Sequence, residues 1–322
     1  MVQLTAKITI KSQKTWVIHR ITSCEIVRDI ENLTAKCTIT MPKRVTWAGE
    51  ISIPIKRGDR VLVQLGYDYD YEMAFTGYIS KITAKTPITI ECEDEMWRLK
   101  QTTAKKKTYT HADLKNILAE QCPKGMNIEV FGKQVIDKYV ANFDTVAQLL
   151  GGLQENGFTF FFKHGTLYGG MMFDYNEPLS GKKQVFHCGE RGNIIDDKDL
   201  AWAESDSILA RIKATAINGK GKKDRIQIEI GDKEGNLGSF TRLNVSKEQL
   251  EKEAKQRLAE IKKTGLSGSF TTFGARLVWL LDLVKIKTIE HPEGAVYKVR
   301  KNTITFGENG YRQNITIGGK AK

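Results

Sequence analysis

Lysines, carboxylates and thiols are the groups in this chain that could do chemistry, and their spacing limits what they could do. Gly219-Lys220-Gly221-Lys222-Lys223 resembles a phosphate-binding loop. A true one needs G-x-x-x-x-G-K-[ST] between a strand and a helix, so that backbone N–H groups and the helix terminus meet the phosphates. No Ser or Thr follows Lys223 and both flanks read as strands, so the segment is a hairpin turn. Carboxylates cluster at Glu91-Cys92-Glu93-Asp94-Glu95 and at Asp196-Asp197-Lys198-Asp199. Glycoside hydrolysis needs two carboxylates facing each other across a cleft. Asp94 and Glu95 instead sit where a short helix begins, a position its dipole favours, and the second cluster falls in a loop between domains.

Cys24, Cys37, Cys92, Cys122 and Cys188 are odd in number, widely spread and without a C-x-x-C pair. That pattern fits neither a disulfide framework nor a zinc site, and the thiols are read as small apolar core side chains. His187-Cys188 is the one adjacent pair of possible ligands, and neighbours on a strand point to opposite faces. No metal or other cofactor is expected. There is no G-x-S-x-G elbow, H-E-x-x-H helix, Rossmann glycine motif or Cys/His nucleophile signature, so no catalytic residue is assigned. Trp16, Trp47, Trp97, Trp202, Trp279 and the Phe158–Phe162 run could stack on bases. Most are embedded in apolar alternation and read as core.

Fifty basic against 38 acidic residues give a formal charge of +12, which could serve a nucleic-acid partner. The charge is diffuse, and its densest runs, Lys105–Lys107 and Lys220–Lys223, read as solvated loops. No run approaches the ~18 apolar residues of a membrane span: Val278–Leu281 ends at Asp282. The first eight residues alternate apolar and polar, unlike a signal-peptide core, so export by that route is not expected.

The elements that must position these residues are mostly strands. Leu4-Ala6-Ile8-Ile10, Ala35-Cys37-Ile39-Met41 and Val61-Val63-Leu65 have the period of two of half-buried strands, and Phe75–Ile82 and Pro87–Cys92 continue the series. In the middle, Thr110-His111-Ala112-Asp113 has the form of a helix start, with Leu114, Ile117 and Leu118 at helical spacing. A second helix begins at Asp144, with Val146, Leu149, Leu150 and Leu153 on one stripe. Phe158–Phe162 and Thr166–Tyr168 make a hairpin with His164 in its turn. Strands return after about residue 200, interrupted by a long helix over 246–263 that Ser246 and Gln249 cap and Leu250, Ala254, Leu258 and Ile261 stripe. The expected fold is mainly β with an α/β insert: a first β-barrel over 1–100, a small α/β domain over 101–200 and a second, related β-barrel over 201–322.

That relation rests on a faint duplication. Asp59-Arg60-Val61-Leu62-Val63 resembles Asp282-Leu283-Val284-Lys285-Ile286. A glycine and an aromatic follow each, Gly77-Tyr78 and Gly294 with Tyr297, and each copy ends on a strand, Ile88-Thr89-Ile90 and Ile315-Thr316-Ile317.

The stretch Ile55–Leu65, with Gly58-Asp59 launching a strand, and Phe75-Thr76-Gly77-Tyr78-Ile79 resemble the signature of the late control protein D family, the baseplate hubs of contractile-tailed phages. Gly58, Asp59 and Gly77 are its turn residues; the glycine permits the turn and the Asp can accept from nearby backbone N–H groups. The likeness spans essentially the whole chain as a pattern. Leu281-Asp282 departs from the family's Gly-Asp, so that turn is expected to differ.

The resemblance implies a structural, non-enzymatic subunit in the tail baseplate of a virion or injection machine, assembled in the host cytoplasm. Such hubs are homotrimers whose two related barrels per chain make six units, joining a tail tube protein to a spike protein among other baseplate proteins. DNA or a protein cargo would pass through the lumen unread, with most lysines facing away from it. No needle-like or lysozyme-like segment follows Lys322, so the spike is expected on a separate chain. Two rival readings are a tail-associated cell-wall hydrolase, which needs convergent carboxylates or a metal, and a β-barrel that binds nucleic acid.

Overall fold

Alternating side chains build the first third of the chain. The computed structural model describes residues 2–42, 54–83, 87–132, 135–155, 158–170, 184–189, 192–205, 208–218, 225–243, 245–262 and 264–320. Its first strands are β1 (Leu4–Lys11), β2 (Thr15–Ile18), β3 (Ser23–Asp29), β4 (Lys36–Met41), β5 (Arg60–Tyr67), β6 (Asp70–Thr83) and β7 (Ile88–Glu93). Ala6, Ile8 and Ile10 of β1, Cys37, Ile39 and Met41 of β4, and Val61, Val63 and Leu65 of β5 are all buried in one core. All pair antiparallel in the order β3-β4-β7-β6-β5-β1-β2. Helix α1 (Met96–Gln101) closes this first β unit.

The insert comprises β8 (Lys107–Asp113), α2 (Leu114–Gln121), β9 (Asn127–Phe131), β10 (Val135–Ala141), α3 (Val146–Glu155), β11 (Thr159–Lys163) and β12 (Thr166–Gly170). The apolar stripes of α2 and α3 meet Phe158, Phe160, Phe162 and Leu167 in a second core. His164 and Gly165 both take positive φ, 49° and 82°, which suits the tight turn from β11 to β12. The expected helix start at Thr110 is corrected. Thr110 lies in β8 opposite Lys138 of β10, and Asp113 caps α2 by accepting from the Lys115 N–H at 2.7 Å. A helix-start motif was satisfied by strand pairing, because β10 lies more than twenty residues downstream in the chain.

The last third contains β13 (Gln184–His187), β14 (Ile194–Asp196), β15 (Leu200–Ala203), β16 (Ala210–Ile217), β17 (Arg225–Gly231), β18 (Asn236–Leu243), α4 (Lys247–Ile261), β19 (Gly265–Phe273), β20 (Leu283–Lys287), β21 (Ala295–Gly307) and β22 (Gly310–Lys320). Ser246 caps α4, its Oγ accepting from the Gln249 N–H at 3.2 Å. Leu250 and Ala254 of α4 pack on Ile212, Ala214, Ala216 and Phe240, so the helix covers the separate sheet β17-β16-β18. The second β unit has its own core of Phe186, Phe270, Val284, Ile286, Tyr297, Val299, Ile315 and Ile317.

One pairing fuses the two β units. β21 runs antiparallel to β3, from Lys301 opposite Asp29 to Phe306 opposite Cys24, giving a continuous 14-stranded sheet. Among the described residues this sheet stays open, from β14 at one end to β2 at the other, and does not close into the expected barrels. No described helix is long and apolar enough to cross a membrane.

Gly77 sits where two backbones nearly touch: a Cβ there would lie 2.1 Å from the Glu93 carbonyl oxygen. Gly77→Ala should therefore lower the unfolding free energy by about 3 kcal/mol in urea. Gly125→Ala, where φ is 81° but nothing lies within 4 Å, should cost only about 1 kcal/mol.

Candidate functional site: a duplicated aspartate turn at a three-way junction

Asp59 folds its own turn. Its Oδ2 accepts from the Lys56 N–H at 2.8 Å, and its N–H donates to the Lys56 carbonyl at 3.2 Å. Gly58, at φ 91°, donates to the Ile79 carbonyl, and the Ile79 N–H donates to the Asp59 carbonyl. The same four bonds recur in the second unit. Asp282 Oδ2 accepts from the Trp279 N–H at 2.9 Å, and the Asp282 N–H donates to the Trp279 carbonyl. Leu281 donates to the Val299 carbonyl, and the Val299 N–H donates to the Asp282 carbonyl. The expected difference at Leu281-Asp282 is thus corrected: Leu281 adopts φ 62° and makes the same turn. That conformation costs a non-glycine residue about 1–2 kcal/mol. Leu281 is fully buried against Ile30, Phe131, Phe161 and Leu280, a burial worth about 2 kcal/mol that offsets the strain.

Strand register extends the equivalence and corrects two sequence matches. Val61 faces Gly77 and Val284 faces Tyr297, so the counterpart of Gly77 is Tyr297 and not the Gly294 region. Both long strands shift register at the same point, between Ile79 and Lys81 and between Val299 and Lys301. From there Ile90-Glu91-Cys92 matches Ile315-Thr316-Ile317, two residues beyond the expected alignment. A slip of two keeps every side chain on its face, so alternation alone cannot detect it. β4 and β19 are then equivalent, as are β3 and the β14–β15 stretch. β13 takes the place of β1, but pairs parallel to β20 where β1 is antiparallel to β5.

The second turn lies where both β units and the insert meet. Arg28 of β3, fully buried, places its guanidinium 3.8 Å over the Trp279 ring and donates from Nη2 to the Ala74 carbonyl. Lys163 of β11 reaches Asp282 at 3.4 Å, both side chains almost fully buried, and the His164 ring lies 4.6 Å from that of Trp279. Burial lowers the Arg28 pKa to about 10, and nearby Asp94 and Asp282 hold it up. Burial also lowers Lys163 and His164. Asp94 accepts from the Ala35 and Met96 N–H groups, yet burial raises its pKa to about 7. Arg28, Asp94, His164 and Trp279 line a cavity of about 20 Å³, the room of roughly one water.

Sequence reasoning did not single out Arg28. Its signal was present: Cys24, Ile26, Arg28 and Ile30 alternate onto one buried face, and an arginine in that register needs partners.

The other candidates disperse. Glu91 pairs with Lys81, Glu93 with Lys100, and Glu95 with Arg98 and Arg60, each within 4 Å. Asp196 binds Lys198 on the surface. These carboxylates do not converge on a cleft, and no metal-holding cluster occurs among the described residues. Cys24 and Cys37 meet in the first core at 3.7 Å as free thiols, with Cys92 packed in the same cluster. Trp97 stacks on Tyr78, whereas Trp202 is 42% exposed and stacks on His291. The Gly219–Lys223 loop and Trp47 lie outside the described residues.

Two measurements follow from the junction. Asp282→Asn leaves the Lys163 ammonium buried without its partner and should cost about 3 kcal/mol in chemical denaturation, part of it regained by adding Lys163→Met. Asp94, with its folded pKa raised by burial to about 7 from the ordinary aspartate value of 3.8, binds its proton more tightly when folded. Its contribution is present at acid pH and lost as pH rises from about 4 to 7, by about 1.4 kcal/mol per pH unit at most. Unfolding titrations across that window should show this loss in the native chain relative to Asp94→Asn.

No protein-family model and no curated protein matches the sequence. Solved structures do. A tail protein from Neisseria meningitidis superposes over 98% of this chain and 96% of its own, with a TM-score of 0.67 and 15% identity. The 43 kDa tail protein of prophage MuSo2 from Shewanella oneidensis covers 98% of both chains, with a TM-score of 0.66 and 15% identity. An E. coli component of the type VI secretion system, described as similar to bacteriophage T4 tail proteins, matches 97% of this chain and 76% of its own at a TM-score of 0.55 and 9% identity. Over nearly its whole length, this chain has the fold of phage-type tail proteins.

Proposed function

We propose that the chain is a non-enzymatic ring subunit of a tail baseplate, the hub that joins a tail tube to a spike. The observation that carries this reading is the duplication of one β unit within one chain, down to the four hydrogen bonds of its aspartate turn. Two equivalent units per chain let three copies imitate six-fold symmetry on one side while offering three-fold symmetry on the other. Such a ring meets a six-fold tube above and a trimeric spike below.

In this reading residues 1–100 and 201–322 supply the two ring units, with strands from 184–203 completing the second, and the rest of 101–200 forms the spacer between them. Gly58, Asp59 and Gly77 are the structural residues of the turn. DNA or a protein cargo passes through the lumen without sequence recognition, and assembly precedes release from the host cytoplasm. The fold shared with tail proteins supports the setting, and the dispersal of the two carboxylate clusters into separate ion pairs weighs against the hydrolase reading.

Electron microscopy of the purified full chain at rising concentration, with sedimentation to count copies, tests the proposal. Three-copy rings with six-fold-like projection averages are expected, together with no clearing zone on a cell-wall zymogram. A particle with two-fold symmetry, a chain that stays single at every concentration, or a clearing zone overturns it.

A further inference from the structure

We infer that the exposed edge of β15 in one copy adds to the free outer flank of β6 in the next copy, with Lys81 opposite Ala203, Ile82 opposite Trp202 and Thr83 opposite Ala201. The inference rests on the ring reading above and names its contact.

The template for this contact lies inside the chain. β21 has two successive neighbours on one side: β20 along 295–298, then β3 along 301–306. Its counterpart β6 has β5 along Asp70–Tyr78, followed by the Asp59 turn at Ile79. Beyond that turn, no described strand pairs with Lys81–Thr83 on this side. Among the described residues, the position that β3 fills against β21 therefore has no occupant against β6.

The strand equivalent to β3 is equally open. Cys37 faces Cys92 and Gly268 faces Ile317, which aligns β4 with β19. Outside them, Ile26 pairs with Cys37 and Val27 with Lys36, while Leu200 pairs with Gly268 and Ala201 with Ser267. Arg28 and Asp29 thus correspond to Trp202 and Ala203. Among the described residues β15 pairs with β19 alone, and Ala201 and Trp202 on it are exposed.

Side-chain burial supports the match. Arg28, covered by the intramolecular contact, is 2% exposed, whereas Trp202 at the equivalent place is 42% exposed. Its ring is already stacked on His291, with centroids 3.9 Å apart. A large, oriented aromatic on an unpaired edge strand is a ready surface for strand addition. The occupant is a second copy because the two open edges are the equivalents of two edges that already pair within the chain. The register follows by transfer: Lys301 faces Asp29, Asn302 faces Arg28 and Thr303 faces Val27. Such a contact is head-to-tail, and repeating the step that relates the two units within a chain closes a three-copy ring when that step is one sixth of a turn.

Cross-linking between copies tests this. Ile82→Cys and Trp202→Cys are made in separate full-length chains carrying Cys188→Ser, since the other four native thiols are buried. Opposed residues of paired strands have Cβ atoms about 5 Å apart, within disulfide reach after small adjustment. The two chains are mixed and oxidised. A mixed covalent dimer is expected, and the double variant should give a closed three-copy product. Thr83→Cys with Ala201→Cys serves as the second pair should either first substitution disturb folding. Leu209→Cys, 50% exposed, replaces Trp202→Cys as the control that should not cross-link.

Three-copy rings in micrographs without a mixed dimer from either pair overturn the contact and leave the ring reading standing. A mixed dimer whose double variant grows into an open-ended ladder keeps the contact and overturns the closed ring. Single chains with no mixed dimer overturn both.

Discussion

The antiparallel ladder between β3 and β21 is the constraint on which the rest of the structure depends. Because side chains alternate along both strands, Ile26 and Cys24 of β3 enter the same core as Ile304 and Phe306 of β21. Leu277 and Tyr311 join them, so the first unit's core is completed by residues nearly 300 positions away. Hydrogen bonds lock the same seam. The Glu72 carboxylate accepts from the Arg276 and Leu277 N–H groups at 2.8 Å, and the Tyr67 hydroxyl donates to the Tyr311 carbonyl. The chain is two related β units, each with its own core, joined along one seam.

The charged junction is a consequence of that ladder. Once β3 lies against β21, Arg28 faces Asn302 and must point inward beneath Trp279. Burying a guanidinium is costly unless it is paired. Here an indole face, the Ala74 carbonyl and the fields of Asp94 and Asp282 keep it charged at neutral pH, even with its pKa lowered to about 10. Lys163 brings the insert to the same place through Asp282. Net stability comes chiefly from the apolar cores, while the buried charges restrict how the three parts can sit together.

The two β units differ where their neighbours differ. Gly58 is packed on by Trp97 of α1, whereas Leu281 is packed on by phenylalanines of the insert. Gly77 lets the Glu93 backbone pass, whereas its counterpart Tyr297 accepts from the Leu266 N–H through its hydroxyl. Ile82 and Ile88 become Asn302 and Gln313. These two are fully buried and bond to each other and to backbone between Phe273 and Val278, tying down the segment that leads into the second turn.

The sequence by itself determined the local structure: the strands of the first unit, the stripes of α2 and α3, the Leu250–Ala254 part of the α4 stripe (Ile261 is exposed), the Ser246 cap, the turn at His164 and the Asp59 turn. Each is set by contacts within a few residues or by a period that repeats along one segment. Only the tertiary structure decided what lies beside what. Thr110 became strand because β10 pairs with it, and the copies align two residues away from their best-looking match because a slip of two leaves alternation intact. Likewise α4 covers its own sheet, and the two units merge through β3 and β21. Arg28 carried its message in sequence as a charge on an apolar face. Its partners, Trp279, Asp282 and Lys163, are brought near only by long-range pairing, which no spacing along the chain encodes.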